Sequence, residues 1–255
     1  MTTAVEGTRS HVPPTAWPPR TIVLVVVGWI TAVLILDADS SRWLQRVLGL
    51  ATWVVLAAIL RRESPLVRMQ TAVVVVFASV VEYTFSPLLE VYVYRFDNVP
   101  MYVPPGHGLV YLAALAIGRT VFVSRHMKRC VAAVLVIGGA YAAYGLLLAE
   151  RSDVLGAFWF GCLAAFLCWG PSRGLYVGAA IVVTYLEIVG TALGTWTWQT
   201  TDPTGLVSIG NPPSGASGGY GWFDLAALML APALLRGVRM FSPRRHPSRR
   251  RHDAG

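Results

Sequence analysis

The chain has 255 residues, 55% of them hydrophobic and only 13% charged, with a mean hydropathy of +0.56. A water-soluble globule carries about 25% charged residues, so soluble domains of useful size are excluded. The net charge of +8 sits in short joints and at the C-terminal end without basic-aromatic interleaving, which points to anionic membrane lipids as partners and excludes nucleic acid.

Residues 1–20 are polar, and no small-residue cleavage site follows the first apolar run, so they read as a retained cytoplasmic tail. Apolar runs of bilayer length then predict transmembrane helices at roughly 21–36, 43–60, 69–88, 106–123, 130–149, 154–169, 174–194 and 217–235. Residues 236–255 form a basic cytoplasmic tail carrying Arg236, Arg239, Arg244, Arg245, Arg249, Arg250 and Arg251. With the N-terminus inside, these seven join Arg9, Arg20, Arg61, Arg62, Arg68, Arg119, Arg125, Lys128, Arg129 and Arg173 on the inner side, 17 basic residues in all. The outer loops hold four: Arg42, Arg46, Arg95 and Arg151. That asymmetry predicts a multi-pass protein of the inner (plasma) membrane with both termini cytoplasmic. Cys130, Cys162 and Cys168 lie in or beside apolar runs, without metal or disulfide spacing, and read as packing residues.

Two stretches share an order of features. Glu82 and Glu187 each sit late in an apolar run and are followed by an aromatic pair, Tyr92 and Tyr94 or Trp196 and Trp198. Each pair leads to a loop with two prolines, Pro104–Pro105 or Pro212–Pro213, then glycines and a run reading LAAL. The expected fold is all-α: a polytopic membrane helix bundle of about eight transmembrane helices, built as two parallel four-helix repeats over 21–123 and 130–235.

Three carboxylates fall within predicted spans: Glu82, Glu187 and Asp224. Each costs about 2.5–3.5 kcal/mol at depth. Counted from Met69, Arg173 and Arg236, each lies about 18–21 Å along its helix from the inner end, which places all three at one level as a shared site. Three acids that close in an apolar medium cannot all be ionised, so at least one is expected to be a neutral carboxylic acid able to donate a proton. Tyr83, Trp222 and Phe223 adjoin these acids and could turn ring faces toward a cation, as could Trp196 and Trp198. His107, within PPGHG, is the one histidine on the outer side, in a loop. Gly190 and Gly194 share a face with Glu187, suggesting close packing beside it. Ser208–Gly219, rich in glycine and proline, reads as a mobile loop or lid. Nucleotide, hydrolase, zinc and Asp-rich magnesium motifs are absent, so no cofactor or metal is expected.

A small polytopic chain with a glutamate in an early helix and an aspartate in the last resembles the membrane-integral terpene cyclases of bacterial indole-terpenoid and fungal meroterpenoid pathways. The resemblance implies a metal-independent enzyme of secondary metabolism that protonates an alkene or epoxide of a lipid-soluble prenylated molecule. It implies Glu82 and Asp224 as the acidic pair, with Trp222 and Phe223 beside the cation path. The string LEIVGTALGTWTW, Leu186 to Trp198, is similar to carotenoid-biosynthesis membrane proteins that modify isoprenoid ends. Arginine outnumbers lysine 20 to 1, as in high-GC bacterial sequences. The competing expectations are a proton-coupled small-solute transporter and a non-catalytic membrane protein.

Overall fold

The computed structural model describes residues 16–241. Most of the expected N-terminal tail, Arg9 included, and the basic tail beyond Phe241 lie outside the described residues. The chain folds almost entirely as helix: α1 (Pro19–Ala38), α2 (Arg42–Leu60), α3 (Pro65–Tyr83), α4 (Val103–Gly118), α5 (Val121–Arg125), α6 (Met127–Leu147), α7 (Val154–Trp169), α8 (Arg173–Ala192) and α9 (Ala216–Phe241). Two three-residue strands interrupt the pattern, β1 (Tyr92–Tyr94) and β2 (Trp196–Trp198).

Helix starts follow local chemistry. The side chains of Ser41, Ser64, Thr120 and Asp153 accept from the amides of Leu44, Val67, Val123 and Gly156, capping α2, α3, α5 and α7. Proline opens α1 and α3, where its missing N–H costs nothing. At the far end of α3, Pro87 lies within a single π turn, Thr84–Leu88, that widens the helix before the chain turns into β1.

Among the described residues six helices are long and apolar enough to cross a membrane: Pro19–Ala38, Arg42–Leu60, Pro65–Leu88, Met127–Leu147, Arg173–Ala192 and Ala216–Val238. Two more apolar helices, Val103–Gly118 and Val154–Trp169, are shorter. α4 is buried along most of its length, so its neighbours, not its own reach, decide its place. α4 ends at Gly118, short of the expected 123, and α5 forms a separate turn. At its start, PPGHG forms the first turn and a half of α4 and not a loop.

α4 and α8 form the tightest helix pair. A Cβ on Gly118 would strike the Gly174 backbone, and one on Gly178 would strike the Ala114 carbonyl, so the two backbones meet over small residues. α3 packs on α9, α7 on α9, and α1 along α4. α6 buries only Ala142 and Gly145, leaving its apolar surface facing outward. Replacing Gly178 with Val is expected to destabilise the bundle by about 1–3 kcal/mol through overpacking. Gly161→Ala, where a Cβ meets nothing within 4 Å, is expected to leave stability unchanged or slightly raised. Thermal unfolding in detergent compares the two.

Candidate active site

β1 and β2 pair antiparallel, with Tyr92 opposite Trp198, Val93 opposite Thr197 and Tyr94 opposite Trp196. This ribbon lies across one end of the bundle and turns its aromatic side chains down onto the two glutamates. Glu82, in the last turn of α3, accepts from the Tyr92 hydroxyl at 2.9 Å and the Tyr94 hydroxyl at 2.8 Å through Oε2. Its Oε1 lies 2.8 Å from Nε2 of His107 on α4. Glu187, on α8, accepts through Oε2 from the indole N–H of Trp196 and of Trp198, each at 3.1 Å. Oε1 of Glu187 has no hydrogen-bond partner among the described residues. Burial, then the nearby Glu82, holds the phenols of Tyr92 and Tyr94 well above the usual tyrosine range, so both remain O–H donors.

Both glutamates and His107 line one cavity of about 430 Å³ between α1, α3, α4, α7, α8 and α9. Its remaining wall is apolar and aromatic, with Trp29, Trp159, Trp222 and Phe223 among its residues. Tyr92 and Trp198 rings stand 4.6 Å apart, and Tyr220 stacks on His107 at 5.0 Å.

The structure thus gathers Glu82, Glu187, His107, Trp196, Trp198, Trp222 and Phe223 around one space, and leaves out two expected members. Tyr83 is 56% exposed on the outer side of α3 and is not part of the wall. Asp224 is buried beside a small void walled by Val74, Tyr111, Ala114, Ala179 and Val183, and by His107, Val110, Tyr220 and Phe223, which also line the main cavity. Phe223 beside it packs on Phe77 at 5.3 Å, five residues before Glu82 on α3, about 7–8 Å further from the ribbon. Asp224 therefore lies behind the cavity wall and does not line the cavity with the glutamates. Arg236 lies inside α9, which continues to Phe241, and residue number gives distance along a helix, not height.

Two further aspartates hold the cap in place, and neither was singled out by its sequence context. Asp37, fully buried at the end of α1, accepts from Ser40 Oγ at 2.9 Å and from Tyr102 Oη at 2.8 Å. Arg95 reaches it at 3.8 Å and also donates to the Asp37 and Ser40 carbonyls. Asp153 accepts from the amides of Gly156, Gly210 and Ser214 at 2.9, 2.8 and 2.6 Å. Arg151 donates to the carbonyls of Trp198, Gln199 and Ile209. The Ser208–Gly219 stretch is accordingly strapped down, with Ile209 wholly buried and α9 beginning inside it; it is built as a fixed cover. Gly190 does not mediate helix packing: a Cβ there would collide with the Trp196 ring, so it makes room for the indole that serves Glu187. Gly194 instead takes a positive φ of 67° in the turn before β2.

No protein-family model, curated protein or solved structure matches the chain. Among the described residues no cluster of His, Cys, Asp or Glu is placed to hold a metal ion.

Asp153→Ala would leave three buried amides without their acceptor, at about 1–3 kcal/mol each. Faster amide hydrogen exchange in 208–214 is the expected result, with α1 and α2 unchanged.

Proposed function

We propose that this protein is an integral membrane enzyme that starts a cyclisation of a prenylated substrate by protonating its alkene or epoxide within the bilayer. The observation that carries this is the pair of buried glutamates around one apolar, aromatic cavity, each accepting two donors on Oε2 and differing at Oε1. Glu82 accepts from Tyr92 and Tyr94 and meets His107 Nε2 through Oε1; with that imidazole as donor these are the surroundings of an ionised carboxylate. Glu187 receives two indole donors on one oxygen only, which suits a neutral acid with its carbonyl oxygen at Oε2 and its O–H on Oε1.

The chemistry then balances on these residues. The Glu187 O–H bond breaks as the substrate's π electrons form a C–H bond, or an epoxide oxygen takes the proton. The O–H electron pair stays on Glu187 as carboxylate. The cation, flanked by the rings of Trp198, Tyr92, Trp159 and Phe223, migrates as a ring bond forms. Loss of a neighbouring proton to the Glu82 carboxylate leaves a new C=C bond, and proton exchange returns Glu187 to its neutral form. The two carboxyls thereby divide acid and base roles by environment.

The ribbon's register supports an origin by duplication and a bundle of eight spans in two parallel four-helix repeats. A two-fold relation of Tyr92 with Trp196 and Tyr94 with Trp198 demands the crosswise pairing found, Tyr92 with Trp198 and Tyr94 with Trp196. The pairs α3–α9 and α4–α8 fit the same relation. The ribbon lies at the end away from Arg61, Arg62, Arg68, Arg119 and Arg173, which favours an inner (plasma) membrane protein with cytoplasmic termini and the cavity toward the outer leaflet.

Reconstituted protein is to be incubated with a prenylated indole bearing a terminal epoxide, and product counted. Loss of about 100-fold or more is expected for Glu187→Gln and for Glu82→Gln, with a smaller loss for Asp224→Asn, which touches no substrate. Unchanged turnover in both glutamine variants would overturn the assignment.

A further inference from the structure

We infer that the cavity loads sideways from the bilayer, past the exposed aromatic residues of the π turn and the start of α9, on the ribbon side of the contact where α3 packs on α9, and that it takes only the uncharged end of a chain while the remainder stays in lipid. This rests on the cavity being the substrate site, and it adds the route and the part of the molecule that enters.

Three other sides of the cavity are closed. At the ribbon end, Tyr92, Tyr94 and Trp196 are buried and the strapped 208–214 segment lies behind them. Toward α2, the Trp29 indole N–H donates to Thr52 Oγ1 at 3.0 Å and joins the two helices. Toward the arginine-rich end, the α4–α8 contact fills the interior. Three residues that line the cavity are also substantially open to the surroundings: Phe77 at 38%, Phe85 at 36% and Trp222 at 46%. Phe77 and Phe85 come from α3 and its π turn, and Trp222 from the neighbouring α9, where its ring also meets Phe166 of α7 at 5.3 Å. Phe77 meets the inner wall directly, its ring 5.3 Å from that of Phe223. The π turn sits on this side, and its wider backbone ring holds α3 apart from a regular continuation. The surface here belongs to spanning helices, so it opens to hydrocarbon and not to water.

Chemistry at the wall limits what enters. Neither arginine nor lysine is among the cavity's residues, and Arg95 and Arg151 are committed to the cap. The Glu82 carboxylate, with no arginine or lysine beside it, repels a phosphate or diphosphate head, and the apolar wall offers that head no partner. A neutral hydrocarbon terminus fits the apolar wall, and a charged or bulky head group remains outside.

Substituting Cys130, Cys162 and Cys168 with Ala gives a background in which Phe85→Cys or Trp222→Cys introduces one thiol on this route. The protein in phosphatidylcholine vesicles is exposed to geranylgeraniol carrying a diazirine at its distal end, and photo-adducts are mapped by mass spectrometry. Adducts are expected on the segments holding Glu82 and Glu187. Prior reaction of either cysteine with a bulky apolar maleimide is expected to remove most of them, whereas the same reagent on Val136→Cys, on lipid-facing α6, leaves them unchanged. A membrane-impermeant sulfonated maleimide is expected to react poorly at residue 85 or 222. Persistent cavity adducts after both plugs, or ready reaction with the sulfonated reagent, overturn the lateral route and leave the cavity assignment standing. Absence of cavity adducts in the unplugged protein overturns both. The readout needs no turnover, so an error in the acid chemistry alone does not affect it.

Discussion

Every polar group carried into an apolar interior must find a partner there, because no water is at hand to supply one. In this protein that constraint is met at two points by one device. A short ribbon crosses the end of the bundle and lowers four aromatic hydrogen-bond donors onto two glutamates. Without the ribbon, Glu82 and Glu187 would be buried carboxyls facing hydrocarbon. With it, they become the polar floor and wall of a cavity. Much else in the cap serves to keep the ribbon in register: Asp37 and Arg95 brace the approach to α4, and Asp153 and Arg151 brace the approach to α9.

The two glutamates are alike in sequence position and unlike in surroundings. Hydroxyl and imidazole donors gather on Glu82, and two weaker indole donors share one oxygen of Glu187. That difference gives the proposed enzyme an acid and a base without a metal ion.

Much of this was legible in the sequence because it is written along the helix axis. Apolar runs mark the helices to within a few residues, and the shared order of glutamate, aromatic pair and proline pair marks the two cap segments. What a run of letters does not carry is rotation about the axis and relative height between helices. Tyr83 adjoins Glu82 yet points outward, and Asp224 matches the glutamates in residue count yet lies behind His107 and Phe223, outside the main cavity. His107 looked like a loop residue because Pro-Pro-Gly usually breaks structure, but proline is tolerated in the first turn of a helix, and there it presents His107 to Glu82. Asp37 and Asp153 escaped notice because each stands at a helix end, where an aspartate is ordinarily exposed. Only the folded cap shows that both are wrapped by the other segments. The Ser208–Gly219 stretch has the composition of a mobile loop, and its three ties to Asp153 and Arg151 come from residues more than fifty positions away.

The account turns on a proton that starts on a buried carboxyl and ends on the substrate. Turnover of a prenylated indole with a terminal alkene in heavy water tests this most directly, with the product analysed by mass spectrometry. Because the Glu187 proton exchanges with solvent between turnovers, alkene cyclisation is predicted to yield product carrying one non-exchangeable deuterium at the carbon that was protonated. Cyclised product with no deuterium on carbon would contradict the account.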